Sequence, residues 1–130
     1  MEFSKRNKKS RSGLTGSFRN AFSGIAILLR LERNARIHLV ILVMVIIAGI
    51  LLKISPAHWI AVSLAAGLVI AAESFNTAIE ALCDAVKPEF DPGIRKAKDL
   101  AAAGVLISAI ASVVTGLIVF VPALIRILSK

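Results

Sequence analysis

The run from Ile37 to Ile54 reads IHLVILVMVIIAGILLKI and carries a single Lys or Arg, Lys53, at its far end. About 20 apolar residues in a helix suffice to cross a bilayer, and a terminal lysine can reach the headgroups with its ammonium. This segment is the cleanest membrane-crossing helix in the chain. The rest agrees with it: of 130 residues, 57% are hydrophobic and 18% charged, and the mean hydropathy is +0.81. Ordinary soluble domains are about 45–50% apolar and about 25% charged. A water-soluble globule is therefore excluded, and the length allows one compact unit with three crossings.

The formal charge of +8 is unevenly spread. Residues 1–16 hold Lys5, Arg6, Lys8, Lys9 and Arg11 among Ser, Gly and Asn, a composition too polar to bury itself, and read as a flexible basic tail. A nucleic-acid-binding arm is the alternative; the cytoplasmic excess of Lys and Arg in membrane proteins explains the tail more simply, so no nucleic-acid partner is expected. A cleaved signal peptide is not expected either, because an amphipathic stretch follows the basic head. Cys83 is the single cysteine, which excludes an intrachain disulfide, a CxxC redox pair and a zinc knuckle.

Residues 17–36 repeat at helical spacing, with Phe18, Phe22, Ile25 and Leu29 on one face and Arg19, Ser23, Arg30 and Arg33 on another. That division predicts an amphipathic helix lying in the headgroup plane. Glu32 breaks it by falling in the apolar stripe beside Ile25; it is either neutralised by Arg36 at i+4 or functional. Membrane helices are expected over about 37–54, 58–86 and 100–128, with Pro56 in a reversal and Trp59 as an interfacial anchor. His58 reads as a headgroup contact. The polar connection Lys87–Asp99 precedes the third apolar segment, which is rich in Ala, Gly and Ser, as packed membrane helices are. Tail and surface helix hold nine Lys or Arg, the 87–99 connection four and the 53–59 turn one. The N-terminus and the second connection should face the cytoplasm and the C-terminus the outside. Arg126 and Lys130 run against this rule and are outweighed thirteen to two.

The second membrane segment carries the chemistry. Glu73, Asn76, Glu80 and Asp84 stand at i, i+3, i+7 and i+11, within about 60° of one another on a helix and along about 16 Å of it. Thr77 borders this stripe. A carboxylate deep in a membrane helix costs several kcal/mol unless a cation, a partner or a proton accompanies it. Glu73 should lie near the inner edge of the hydrocarbon, with Glu80 and Asp84 at or beyond the headgroups. A hard cation such as Mg²⁺ takes oxygen ligands, commonly one or two carboxylates with phosphates completing the shell; Glu80 and an inward-facing Glu32 offer that pair. Lys98 offers an ammonium for phosphates. Asp99 reads as a cap on the third helix, with a substrate role as the alternative. There is no GxxxxGK[ST] loop and no GxGxxG fingerprint, so phosphate chemistry would need another architecture. His38 and His58 stand at opposite ends of the first membrane helix, which excludes a hydrolase or protease centre built on them.

Glu73-Ser-Phe-Asn-Thr-Ala-Ile-Glu80 together with Lys98-Asp-Leu-Ala-Ala-Ala-Gly104 resembles the signature of the prokaryotic diacylglycerol kinase family. Glu32-Arg-Asn-Ala-Arg-Ile-His38 looks like the segment before the first membrane helix in the undecaprenol kinase branch. The resemblance covers roughly residues 18–122. It implies an all-α membrane protein, a homotrimer of three-helix subunits each with a surface helix, formed by residues 17–130 as one kinase domain. It further implies transfer of the γ-phosphoryl group of MgATP to a lipid alcohol, undecaprenol or diacylglycerol, at the cytoplasmic face of the inner membrane. By the family pattern Glu73 would be the general base, Glu32 and Glu80 would hold Mg²⁺ and the triphosphate, and Asn76 would position the reacting groups. Lys98 and Asp99 would contact the nucleotide, at sites shared between subunits.

One departure is visible: many members carry Glu-Tyr-His before the third helix, and this chain has Glu89-Phe90-Asp91. The histidine associated with the adenine is missing, leaving Glu89 and the loop backbone to meet the base. A non-catalytic oligomer with a polar cation path is the competing reading. Such a path needs polar residues in the outer half of the membrane too, where the second helix offers only Ser63. A purely structural anchor leaves the cost of Glu73 unexplained.

Overall fold

A computed structural model describes residues 13–129, and these form four α-helices: α1 (Leu14–Leu31), α2 (Arg33–Leu51), α3 (Pro56–Val86) and α4 (Pro92–Leu128). The last three are long and apolar enough to cross a membrane. Most of the expected basic tail lies outside the described residues, and its last residues, Leu14–Gly16, are already helical.

The helix ends differ from the sequence expectation, each for a local reason. The first helix does not run on to residue 36: Glu32 is extended, at φ −100° and ψ 118°, and separates α1 from α2. Its N–H donates to Leu28 O, closing α1, and its carbonyl accepts from Arg36 N as α2 begins. Arg33 to Arg36 therefore form the first turn of α2.

At the other end, α2 stops at Leu51, three residues early, in a Schellman turn. Lys53 N donates to Ile50 O and Ile54 N to Gly49 O, with Lys53 in the left-handed region at φ 50°. Ser55 then caps α3, its hydroxyl accepting from His58 N, and Pro56 takes the first helical position, where its missing N–H costs nothing.

The third membrane helix begins eight residues earlier than expected. Asp91 caps it, Oδ1 accepting from Gly93 N at 2.7 Å and Ile94 N at 3.1 Å, and Pro92 follows at the first helical position. Asp99, expected as the cap, stands in the second turn of α4 and is exposed.

α3 and α4 form the main antiparallel pair. Lys98 meets Asp84 at one end, while Val62 joins Val119 and Ala123 in a buried cluster with Ile54 at the other. Trp59 packs on this cluster and against Gly49, where an added Cβ would lie 2.7 Å from the indole Cη2. The tryptophan expected as a headgroup anchor thus closes the α2–α3 turn. Arg126 Nη2 donates to Leu52 O at 3.2 Å, tying the end of α4 to the end of α2. Most large apolar side chains elsewhere remain exposed, among them Ile47, Leu64, Phe75 and Ile118. They are surface for lipid or for neighbouring chains.

Candidate active site

The acidic stripe runs along α3 from a contact with α2 at Glu73 to a contact with α4 at Asp84. Glu73 is 2% exposed, the one buried carboxylate among the described residues. Its backbone carbonyl accepts from Thr77 Oγ1 at 3.0 Å. His38, from the second turn of α2, brings Nε2 to 3.2 Å from Glu73 Oε1. The ring N–H is not aligned on that oxygen, so Oε1 has no hydrogen-bond partner among the described residues.

One turn further, Asn76 Nδ2 donates to Glu80 Oε1 at 2.9 Å. Both residues are half-buried, and Asn76 Oδ1 is enclosed without a partner. The sequence thus places on one helix face a buried carboxylate, an amide and a carboxylate approaching water. Two enclosed oxygens, Glu73 Oε1 and Asn76 Oδ1, are left without a donor. An unsatisfied buried oxygen costs about 1–3 kcal/mol, so the site is built for something that supplies positive charge or hydrogen.

Beyond Glu80 the stripe opens into a solvent-facing depression around the α3–α4 connection, its walls including Asp84, Glu89, Phe90, Asp91, Lys98 and Asp99. Three ion pairs lie here. Lys98 Nζ lies 2.5 Å from Asp84 Oδ1 and Lys87 Nζ 2.7 Å from Asp91 Oδ2, while Arg95 Nε stands 3.9 Å from Asp99 Oδ2. The Lys87 ammonium first, then the N–H groups of Ile94 and Gly93, hold the Asp91 carboxyl below its ordinary 3.8.

The structure therefore joins Glu73, Asn76 and Glu80 on one face, and Glu89, Lys98 and Asp99 around one depression. It does not join Glu32 to either group by a polar contact. The Glu32 side chain is half-buried at the α1–α2 break and makes no hydrogen bond or ion pair among the described residues. The expected neutralisation by Arg36 is absent. No cluster of three His, Cys, Asp or Glu fit to hold a metal occurs among the described residues. One carboxylate, Glu80, beside an enclosed amide oxygen is nevertheless the kind of partial oxygen set that Mg²⁺ uses when phosphates complete its shell.

Spacing along the chain gives no role to His38, which the sequence shows only as standing at the opposite end of the first membrane helix from His58; its place as the second residue of a long apolar run is the signal that marks it. Asp84 is legible on the stripe, but its pairing with Lys98 spans fourteen residues and needs the helix turn to be seen.

Comparison with known proteins shows the family of the chain. The family described as prokaryotic diacylglycerol kinase matches residues 19–120, which include both the acidic stripe and the charged depression. The undecaprenol kinase of Bacillus subtilis (strain 168) is 36% identical over 108 residues, 83% of this chain and 88% of that protein. The diacylglycerol kinase of Synechocystis sp. (strain ATCC 27184 / PCC 6803 / Kazusa) is 35% identical over 113 residues, 86% of this chain and 65% of the relative. The chain belongs to the prokaryotic diacylglycerol kinase family of lipid kinases.

Proposed function

We propose that this protein transfers the γ-phosphoryl group of MgATP to the hydroxyl of a membrane lipid alcohol, with undecaprenol preferred over diacylglycerol. The observation that carries the reading is the vertical gradient along α3: Glu73 enclosed among apolar helices, Glu80 half-exposed about two turns beyond, and a charged depression past it. A lipid hydroxyl and a soluble nucleotide meet only where such a gradient crosses the membrane edge. The undecaprenol preference rests on the Glu32–His38 segment and on the Bacillus relative.

In this reading Glu73 takes the proton of the lipid hydroxyl as its oxygen attacks the γ-phosphorus in line, and ADP leaves toward the depression. Phosphoryl transfer demands mainly positioning and charge stabilisation. Asn76, fixed by its bond to Glu80, orients the reacting groups. Lys98 exchanges Asp84 for a phosphate, and Asp99 and Glu89 contact the nucleotide. Glu80, with Glu32, would hold Mg²⁺, which when bound offsets the charge of the triphosphate. Asp91 occupies the position where many members have histidine, and its engagement as a helix cap leaves the adenine to Glu89, Phe90 and the loop backbone.

α1 lies along the cytoplasmic headgroups with Phe18 and Phe22 toward lipid, and the N-terminus and the α3–α4 connection face the cytoplasm of the inner membrane. Three copies of the chain assemble with sites shared between them, which accounts for the apolar surface left exposed on one chain and for the unpartnered Glu32. The cavity between α2, α3 and α4 is lined almost wholly by apolar groups beyond His38, with Ser112 and Thr115 as polar exceptions. That lining supports a kinase over a cation path.

The test is transfer of labelled γ-phosphate to undecaprenol and to diacylglycerol by purified protein in mixed micelles. Transfer to undecaprenol at the higher kcat/KM, lost in Glu73→Gln, is the expected result. No transfer to either lipid from intact oligomer would overturn the reading.

A further inference from the structure

The geometry points to His38 as the positioning residue of the Glu73 carboxylate, presenting Nε2–H to Oε1 and so fixing where the second oxygen faces. The inference rests on the reading of Glu73 as the general base. A base on a helix face can turn about its side-chain torsions, and a displacement of about 1 Å costs up to about 100-fold in rate. Something must therefore hold a carboxylate that reacts.

Three observations assign that task to His38. The Glu73 side chain is 3% exposed, and His38 is the one basic side chain within 4 Å of its carboxylate among the described residues. Oε1, the oxygen His38 approaches at 3.2 Å, lacks a hydrogen bond from any other group. The two residues come from different helices, α2 and α3, so each side chain is aimed by its own backbone and not by a shared turn. The ring N–H lies off the line to Oε1, and a small turn of either side chain brings it into a hydrogen bond of the kind that tightens as reactants bind. At 24% exposure the imidazole sits at the edge of the enclosure. The imidazole also borders the apolar cavity that Leu42, Val62 and Phe120 line, while its Nε2 reaches out to Oε1 of Glu73.

The experiment compares kcat and KM for MgATP in wild type, His38→Ala, His38→Gln, Glu73→Gln and the His38→Ala/Glu73→Gln double variant, all as intact oligomer. His38→Ala should lower kcat about 10- to 100-fold with KM for MgATP within about twofold. His38→Gln, whose amide still donates at similar reach, should recover most of that loss. The double variant should be no slower than Glu73→Gln alone, because His38 acts only through Glu73. Wild-type kcat in His38→Ala, or a double variant slowed by the product of the single effects, overturns the assignment. Wild-type kcat in Glu73→Gln instead removes the base itself, a separate failure. Should His38→Ala lose its oligomer, His38→Asn, too short to span the contact, takes its place with the same expected split.

Discussion

Glu80 and Gly49 show how single side chains divide the work. Glu80 accepts from Asn76 with one oxygen; if the other holds the proposed cation, Glu80→Gln should weaken Mg²⁺-dependent ATP binding about tenfold or more while leaving lipid affinity intact. Nucleotide titrations at rising Mg²⁺ check this; an unchanged response would strip Glu80 of the role. Gly49 has no chemistry but admits Trp59, and a methyl group there would meet the indole at 2.7 Å. Gly49→Ala should destabilise the folded protein by about 1–3 kcal/mol through overpacking, read as a lower unfolding midpoint in detergent. At this scale the sequence was informative wherever chemistry repeats along one helix. Glu73, Asn76 and Glu80 declare themselves by spacing alone, whereas the meeting of His38 with Glu73 depends on how α2 leans on α3, which no spacing within either helix encodes.

Helix ends are where local reading lost its grip. Nothing breaks a helix between Arg30 and Arg36 by residue type, yet the chain extends at Glu32, whose N–H closes α1 while its carbonyl opens α2. Asp91-Pro92-Gly93 looks like a turn and is the cap and first residues of α4; aspartate before proline serves both purposes, and only the hydrogen bonds from Gly93 and Ile94 decide between them. The Asp91 carboxyl is held below its ordinary range in the folded state, chiefly by Lys87. Its contribution is therefore complete above the unfolded value of about 3.9 and disappears as pH falls through the lower folded value. Asp91→Asn, which keeps a capping oxygen but not the charge, should flatten the pH dependence of stability below about pH 4. Thermal unfolding across that range measures it. Lys53, at φ 50°, invites the opposite change: Lys53→Gly removes left-handed strain and should gain up to about 1 kcal/mol.

For the whole molecule, apolar periodicity made the three long helices legible, since a bilayer leaves a backbone few alternatives to helix. Packing was not legible, because apolar residues that face another helix and those left exposed have the same composition. If three chains share each site, co-assembling Glu73→Gln subunits with Lys98→Ala subunits should restore part of the activity that each lacks alone. Recovery in mixed oligomers, with a protein mass near three times 13.8 kDa, is the expected outcome; a monomer with full activity would contradict it. Arg126 bears on the same scale. Charge counting treats it as a misplaced vote on orientation, but its guanidinium is engaged with the Leu52 carbonyl at the end of α2. A cation committed to a helix terminus works as a rivet between two spans and carries no address, so replacing it should loosen that seam while both chain ends keep their sides of the membrane.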